Sequence, residues 1–193
     1  TQRYRLLQPV VCAVRCEEEI EMMKSDIRPP AVAGMFYPHG EHELRRQVQQ
    51  FLAEVTVSAP RPKAMIQPHA GYIYSGPVAA TAYCQLRHFA DAITRVILLG
   101  PDHRVGFRGI AAPSAGYFET PLGIIPVDQD AISSLEGVDF FDAAHQQEHS
   151  LEVQLPFLQQ VLGDFTLVPL VIGSVGPGEV AAVLRQLWGG DET

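Results

Sequence analysis

Cysteine is scarce in this sequence of 193 residues, and the three present are Cys12, Cys16 and Cys84. So sparse and odd a set excludes a disulfide framework and fits a reducing compartment such as the cytoplasm. Cys12 and Cys16 have a spacing that can bind metal or form a bridge, but no second pair completes a zinc site. Long apolar runs are missing too, so no membrane span is expected. Residues 6–14 are interrupted by Gln8 and Pro9, with no small-residue cleavage site after them, which reads against a signal peptide. Basic residues are in deficit, 14 Lys and Arg against 22 Asp and Glu for a net charge of −8. That balance argues against a nucleic-acid partner, which needs a basic face. The sequence has no Gly-x-Gly-x-x-Gly and no Walker lysine, so a nucleotide site is not expected. Nor is there a Gly-x-Ser-x-Gly elbow, which leaves Ser75 and Ser150 as weak candidates for a nucleophile. No internal repeat or low-complexity segment is visible.

What is present describes a folded globule. A hydrophobic fraction of 47% with 19% charged residues suffices for one core and one domain. Residues 1–26 show no clean period and read as an extension, closed by the helix breaker Arg28-Pro29-Pro30; the domain is expected over 27–193. From 41 to 55, Leu44, Val48, Phe51, Leu52 and Val55 fall at helical spacing. Short apolar runs at 64–67, 95–100 and 165–172 read as buried strands, and 109–113 and 118–127 as shorter ones around Pro121-Leu122-Gly123. Helices are expected over 76–89, after the cap Asp128, over 150–162 with a break at Pro156, and from Pro177. Strands alternating with helices predict an α/β fold with a mostly parallel sheet and helices on both faces.

In such sheets ligands bind beyond the carboxyl ends of the strands. His69, in Gln67-Pro68-His69-Ala70-Gly71-Tyr72, follows the run at 64–67. His103, in Gly100-Pro101-Asp102-His103, follows the run at 95–100. If those strands are neighbours, both imidazoles enter one crevice as metal ligands. His149, in Glu148-His149-Ser150-Leu151-Glu152, is placed at a helix start that favours its neutral, proton-accepting form. His39, His42, His88 and His145 lack this placement and read as surface residues. Tyr72, Asp102, Glu148 and Glu152 are the expected neighbours of the cleft, although each carboxylate also suits a capping or solvated role. The amides of Tyr72-Ile73-Tyr74-Ser75-Gly76, at a helix start, could hold an anion.

Four segments in order then resemble the landmarks of one family. Arg28-Pro29-Pro30-Ala31-Val32-Ala33-Gly34-Met35-Phe36-Tyr37-Pro38 is similar to the opening of Memo-like proteins. Pro68-His69-Ala70-Gly71-Tyr72, Gly100-Pro101-Asp102-His103 and Glu148-His149-Ser150-Leu151-Glu152-Val153-Gln154-Leu155-Pro156-Phe157 look like its next three. The resemblance runs from about residue 28 to 188. The family, also called system protein B of the AmmeMemoRadiSam group, resembles class III extradiol ring-cleaving dioxygenases, so a dioxygenase-like fold is expected. It implies metal ligands at His69 and His103, an acid–base or substrate-contacting histidine at His149, iron (Fe2+) or copper as the metal, and AMMECR-type and radical-SAM proteins as partners.

Two functions remain open on this reading. One is a metal-dependent oxidoreductase, a non-heme-iron oxygenase-like enzyme acting on an unknown small molecule. The other is a non-catalytic binding or adaptor protein using the same cleft for a peptide, a metal or a partner protein. The chain starts at Thr1 and stops just after a helix, and the resemblance implies further family segments, an Asp-x-x-His and a later cysteine among them. The sequence therefore reads as C-terminally incomplete, with an exposed Trp188 and a cleft open on one side as expected consequences.

Overall fold

The computed structural model describes residues 26–56 and 60–189; Cys12, Cys16 and the extension at 1–25 lie outside them. The chain enters as a two-residue strand, β1 (Ile27–Arg28), and then forms helix α1 (Glu41–Ala53). Leu44, Val48 and Leu52 of α1 are buried, the face that their spacing predicts. Helix α2 (Tyr72–Tyr83) starts earlier than expected and runs on as a 3-10 segment over Cys84–Ala92. It packs close to α1: a Cβ on Gly76 would sit 2.8 Å from Cζ of Phe51, so a larger residue there would have to displace that ring.

Strand β2 (Arg95–Pro101) is followed by β3 (Ile110–Ala112), the hairpin β4 (Tyr117–Thr120) and β5 (Gly123–Pro126), and the short helix α3 (Gln129–Ser133). Gly123 has φ +123° at the hairpin turn, a conformation that favours glycine. Asp128 caps α3 as its position predicts, accepting from Ala131 N at 2.9 Å. Strand β6 (Asp139–Phe140) and helix α4 (Ala143–Gln146) come next. A 3-10 turn at Glu152–Gln154 then feeds helix α5 (Leu155–Leu162). Pro156 falls in the first turn of α5, where a missing N–H costs nothing, so the expected break becomes a helix start. Strand β7 (Thr166–Ile172) and helix α6 (Pro177–Leu187) complete the described fold.

The strands form two sheets, ordered β2-β7-β3-β6 and β1-β4-β5. β2 runs parallel to β7 in register from Arg95↔Thr166 to Pro101↔Ile172, and β3 runs parallel to β6. The β3–β7 pairing is antiparallel, so this α/β sheet is mixed. A bridge from Val127 to Leu167 joins the two sheets. Five consecutive residues of β7, Leu167 to Val171, are buried; with alternate side chains on opposite faces, this strand is covered on both. Around it, the aromatic rings of Tyr72, Tyr83 and Phe157 pack with centroids 5.1 and 5.3 Å apart.

One expected strand does not form. Residues 64–67 form no regular element and belong to no sheet, and Ile66 is fully exposed. An apolar run becomes a strand only when a neighbour takes up its backbone groups. Among the described residues, 64–69 make no backbone–backbone hydrogen bond. Trp188 is 56% exposed, in line with the sequence reading.

Candidate metal centre

His103 sits immediately beyond β2, and His69 lies in the loop that precedes α2. His149 occupies the loop between α4 and the 3-10 turn at 152–154. The three rings converge: centroids are 5.2 Å apart for His69 and His103, 4.6 Å for His103 and His149, and 5.9 Å for His69 and His149. One ring nitrogen from each lies within 4.8 Å of the others. The expected pair is thus brought together, although not from neighbouring strands, and His149 joins it in the same cleft.

Glu148 organises this arrangement from below. Its buried carboxylate accepts from His103 Nδ1 at 2.9 Å and from the backbone amides of His103, His149 and Ser150 at 2.7, 2.9 and 2.8 Å. Burial acts to raise its pKa, but these hydrogen bonds outweigh it and hold the carboxyl below its ordinary value. An anionic Glu148 accepts the hydrogen bond of His103 Nδ1–H, which leaves the lone pair on Nε2 of that ring free to ligate. Gly100 makes room for the loop, since a Cβ there would come within 2.8 Å of Leu151 Cδ2.

The histidine environment favours the neutral, ligating form. Burial lowers the pKa of His149, and the neighbouring His103, His69 and Arg104 add to this against the opposing pull of Glu148. Burial and His103 lower that of His69. His149 Nδ1 is buried without a hydrogen bond among the described residues; Glu148 Oε1 lies 3.3 Å away but is poorly aligned. Phe36 packs on the same ring at 4.7 Å. Three imidazoles around one point, with a buried nitrogen left unpaired among the described residues, could together hold a divalent metal ion.

The other expected cleft residues are placed differently. Tyr72 is core: it is 2% exposed, and its hydroxyl donates to Val153 O at 2.8 Å. Glu152 is fully buried away from the histidines, paired with Arg28, bonded by Tyr37 Oη, and accepting from the amides of Ala31 and Val32 at 2.8 and 3.0 Å. Asp102 accepts from the amides of Arg104 and Val105, both at 3.0 Å, and of Gly106, and so shapes the loop behind His103. Against the effect of burial, those bonds lower its pKa. Only Glu148 of the three carboxylates touches a histidine of the cluster.

His39, His42 and His88 are exposed as expected, but His145 is not. It is 2% exposed and its Nε2 donates to Ala111 O at 3.0 Å, while Arg28 donates to its carbonyl. Its motif carries no helical or strand period that marks an inward face. The hydroxyls of Ser75 and Ser150 donate to Ala70 O at 2.7 Å and Pro101 O at 3.0 Å, so neither is poised on a histidine. The amides of Tyr74 and Ser75 donate to Gly71 O, and that of Tyr72 to Phe36 O, so these three are not available to an anion.

A mixed α/β sheet with three histidines converging near the end of β2 defines an α/β protein with a histidine cluster. Residues 28–187 match the family model for Memo-like protein, and the chain belongs to that family. A MEMO1 family protein of Ignicoccus hospitalis is 43% identical over 175 residues, covering 83% of this chain and 61% of the relative. One of Thermotoga neapolitana is 35% identical over 179 residues, covering 83% and 64%. One of Methanocaldococcus jannaschii is 38% identical over 162 residues, covering 75% and 56%. The chain thus spans less than two thirds of the length of these curated relatives.

Proposed function

We propose that the cleft is a metal centre in which His69, His103 and His149 hold one divalent iron or copper ion, serving a metal-dependent oxidoreductase of the dioxygenase-like kind. The observation that carries this is the convergence of three ring nitrogens within 4.8 Å. Three imidazoles leave coordination positions open, and a metal bound there supplies Lewis acidity and redox chemistry toward a small-molecule substrate. Glu148 fixes the tautomer and ring plane of His103. Asp102 holds the 103–106 loop in shape. The lowered pKa values of His69 and His149 keep both rings unprotonated at neutral pH, so metal binding there displaces few protons.

Anaerobic titration with Fe(II) and Cu(II), read by calorimetry and by metal content after desalting, tests this. One ion per chain is expected, with at least a tenfold loss of affinity in His69→Ala, in His103→Ala and in His149→Ala. Retention of wild-type affinity by His149→Ala would remove it from the ligand set and return it to a proton-transfer role. Retention by all three would refute the centre. Oxygen consumption by the loaded protein with catechol-type probes reads the oxidoreductase proposal separately.

A further inference from the structure

We infer that Arg28 is a positioning residue of the metal centre: its guanidinium fixes the segment that carries Glu148 and His149, and so sets where Glu148 meets His103. The inference rests on the three-histidine reading of the cleft. Arg28 is 6% exposed, and its Nη1 is paired with the buried Glu152. Its other bonds go to backbone. Nε and Nη2 donate to His145 O at 3.1 and 3.0 Å, and Nη2 also donates to Glu148 O at 2.8 Å. The charge of Glu152 asks only for a cation. Two carbonyls met at once ask for the rigid planar fork of arginine, which lysine does not present. The carbonyl bonds have no part in neutralising Glu152; they hold the backbone at 145 and 148.

Arg28 is itself seated on fixed structure. Its strand β1 pairs with β4, with Arg28 opposite Phe118, and the guanidinium carbon lies 5.3 Å from the centre of the Phe118 ring. Phe118 is 1% exposed and also meets the His145 ring edge-on, with centroids 6.1 Å apart. From this base the contacts run through Glu148. Its carbonyl oxygen accepts from Arg28, while its carboxylate accepts from His103 Nδ1 and from the amides of His103, His149 and Ser150. Held at its carbonyl, Glu148 keeps its carboxylate within reach of all four donors. Metal ligands must stay within about 0.5 Å of their productive places. A 145–148 backbone released from the fork loosens that hold on His103 and His149 without touching either ring.

The test titrates Cu(II) into wild type, Arg28→Lys and Glu152→Gln, each well below its melting temperature. It reads affinity, the copper paramagnetic resonance spectrum and amide exchange. Arg28→Lys keeps a cation for Glu152 but loses the fork. Expected are a loss of about tenfold in affinity, a changed copper hyperfine splitting, and faster exchange of the His149 and Ser150 amides. Glu152→Gln leaves the carbonyl bonds in place; it should melt lower yet bind copper with the affinity and spectrum of wild type. Wild-type affinity and spectrum in Arg28→Lys overturn the inference. So does an equal loss of affinity in Glu152→Gln, which would make the effect one of stability alone. Should Arg28→Lys fail to fold, wild type decides by linkage: bound copper must slow exchange of the Arg28 Nε–H, and an unchanged rate overturns the inference. A wild type that takes up no metal refutes the centre and this inference with it, whereas normal uptake with an indifferent Arg28→Lys refutes the positioning role alone.

Discussion

His145 gives the sharpest test of how this fold responds to acid. Burial pushes its pKa from 6.5 down to about 4, and the charge of Arg28 acts in the same sense against the opposing hydrogen bond to Ala111 and the charges of Asp142 and Glu148. Its Nε2–H donates to Ala111 O, so Nδ1 is the site a proton must reach, and Nδ1 is buried without a partner among the described residues. The unfolded chain therefore binds more protons than the folded one between pH 6.5 and about 4. Stability is complete above pH 6.5, falls as the pH drops through that window and levels off below about pH 4. At pH 5 the loss works out at about 2 kcal/mol from this residue alone. For a chain of this size that is a fall of about 4–8 °C in melting temperature. The assay is urea unfolding followed by Trp188 fluorescence and circular dichroism at pH 7.5 and pH 5, on wild type and His145→Gln. The variant should be less stable at pH 7.5 but lose less between the two values, by about 2 kcal/mol. Equal losses in both proteins would refute the assignment of the acid response to this ring.

Two further outcomes follow from the carboxylates. Glu148→Ala should weaken metal binding about 10–100-fold by releasing the tautomer and plane of His103, measured in the same anaerobic titration. Arg28→Met strips the buried Glu152 carboxylate of its cation and should destabilise the fold by about 3–5 kcal/mol in urea, because an uncompensated charge stays in the interior.

Much of this arrangement is legible in the sequence because period and punctuation act locally. The helical spacing of Leu44, Val48 and Leu52, the cap at Asp128 and the proline opening α6 all appear where they are expected. His69 and His103 meet, as their placement in two loops after apolar runs suggested. The failures are those in which distant groups decide. Residues 64–67 have the composition of a strand, yet pairing is a property of a neighbour, and none lies beside them among the described residues. Glu152 and Tyr72 stand inside landmark segments, but a carboxylate or phenol in such a segment serves the core as readily as the cleft. Here Arg28, Tyr37 and Val153 claim them. His145 is buried because Arg28 and Ala111, remote in sequence, offer its polar groups partners.

The clamp between Arg28 and Glu152 also constrains the order in which the protein can be finished during synthesis. Its two ends are 124 residues apart in the chain. Translation at the usual pace takes roughly 6–25 s to cover that interval. Throughout that time Arg28 and the segment up to Tyr37 have emerged without the carboxylate that receives them, so the first landmark of the domain must be among the last to settle. A ribosome stalled short of Glu152 should present residues 28–37 as open to protease, and one stalled far enough beyond it for that residue to clear the exit tunnel should present them as closed.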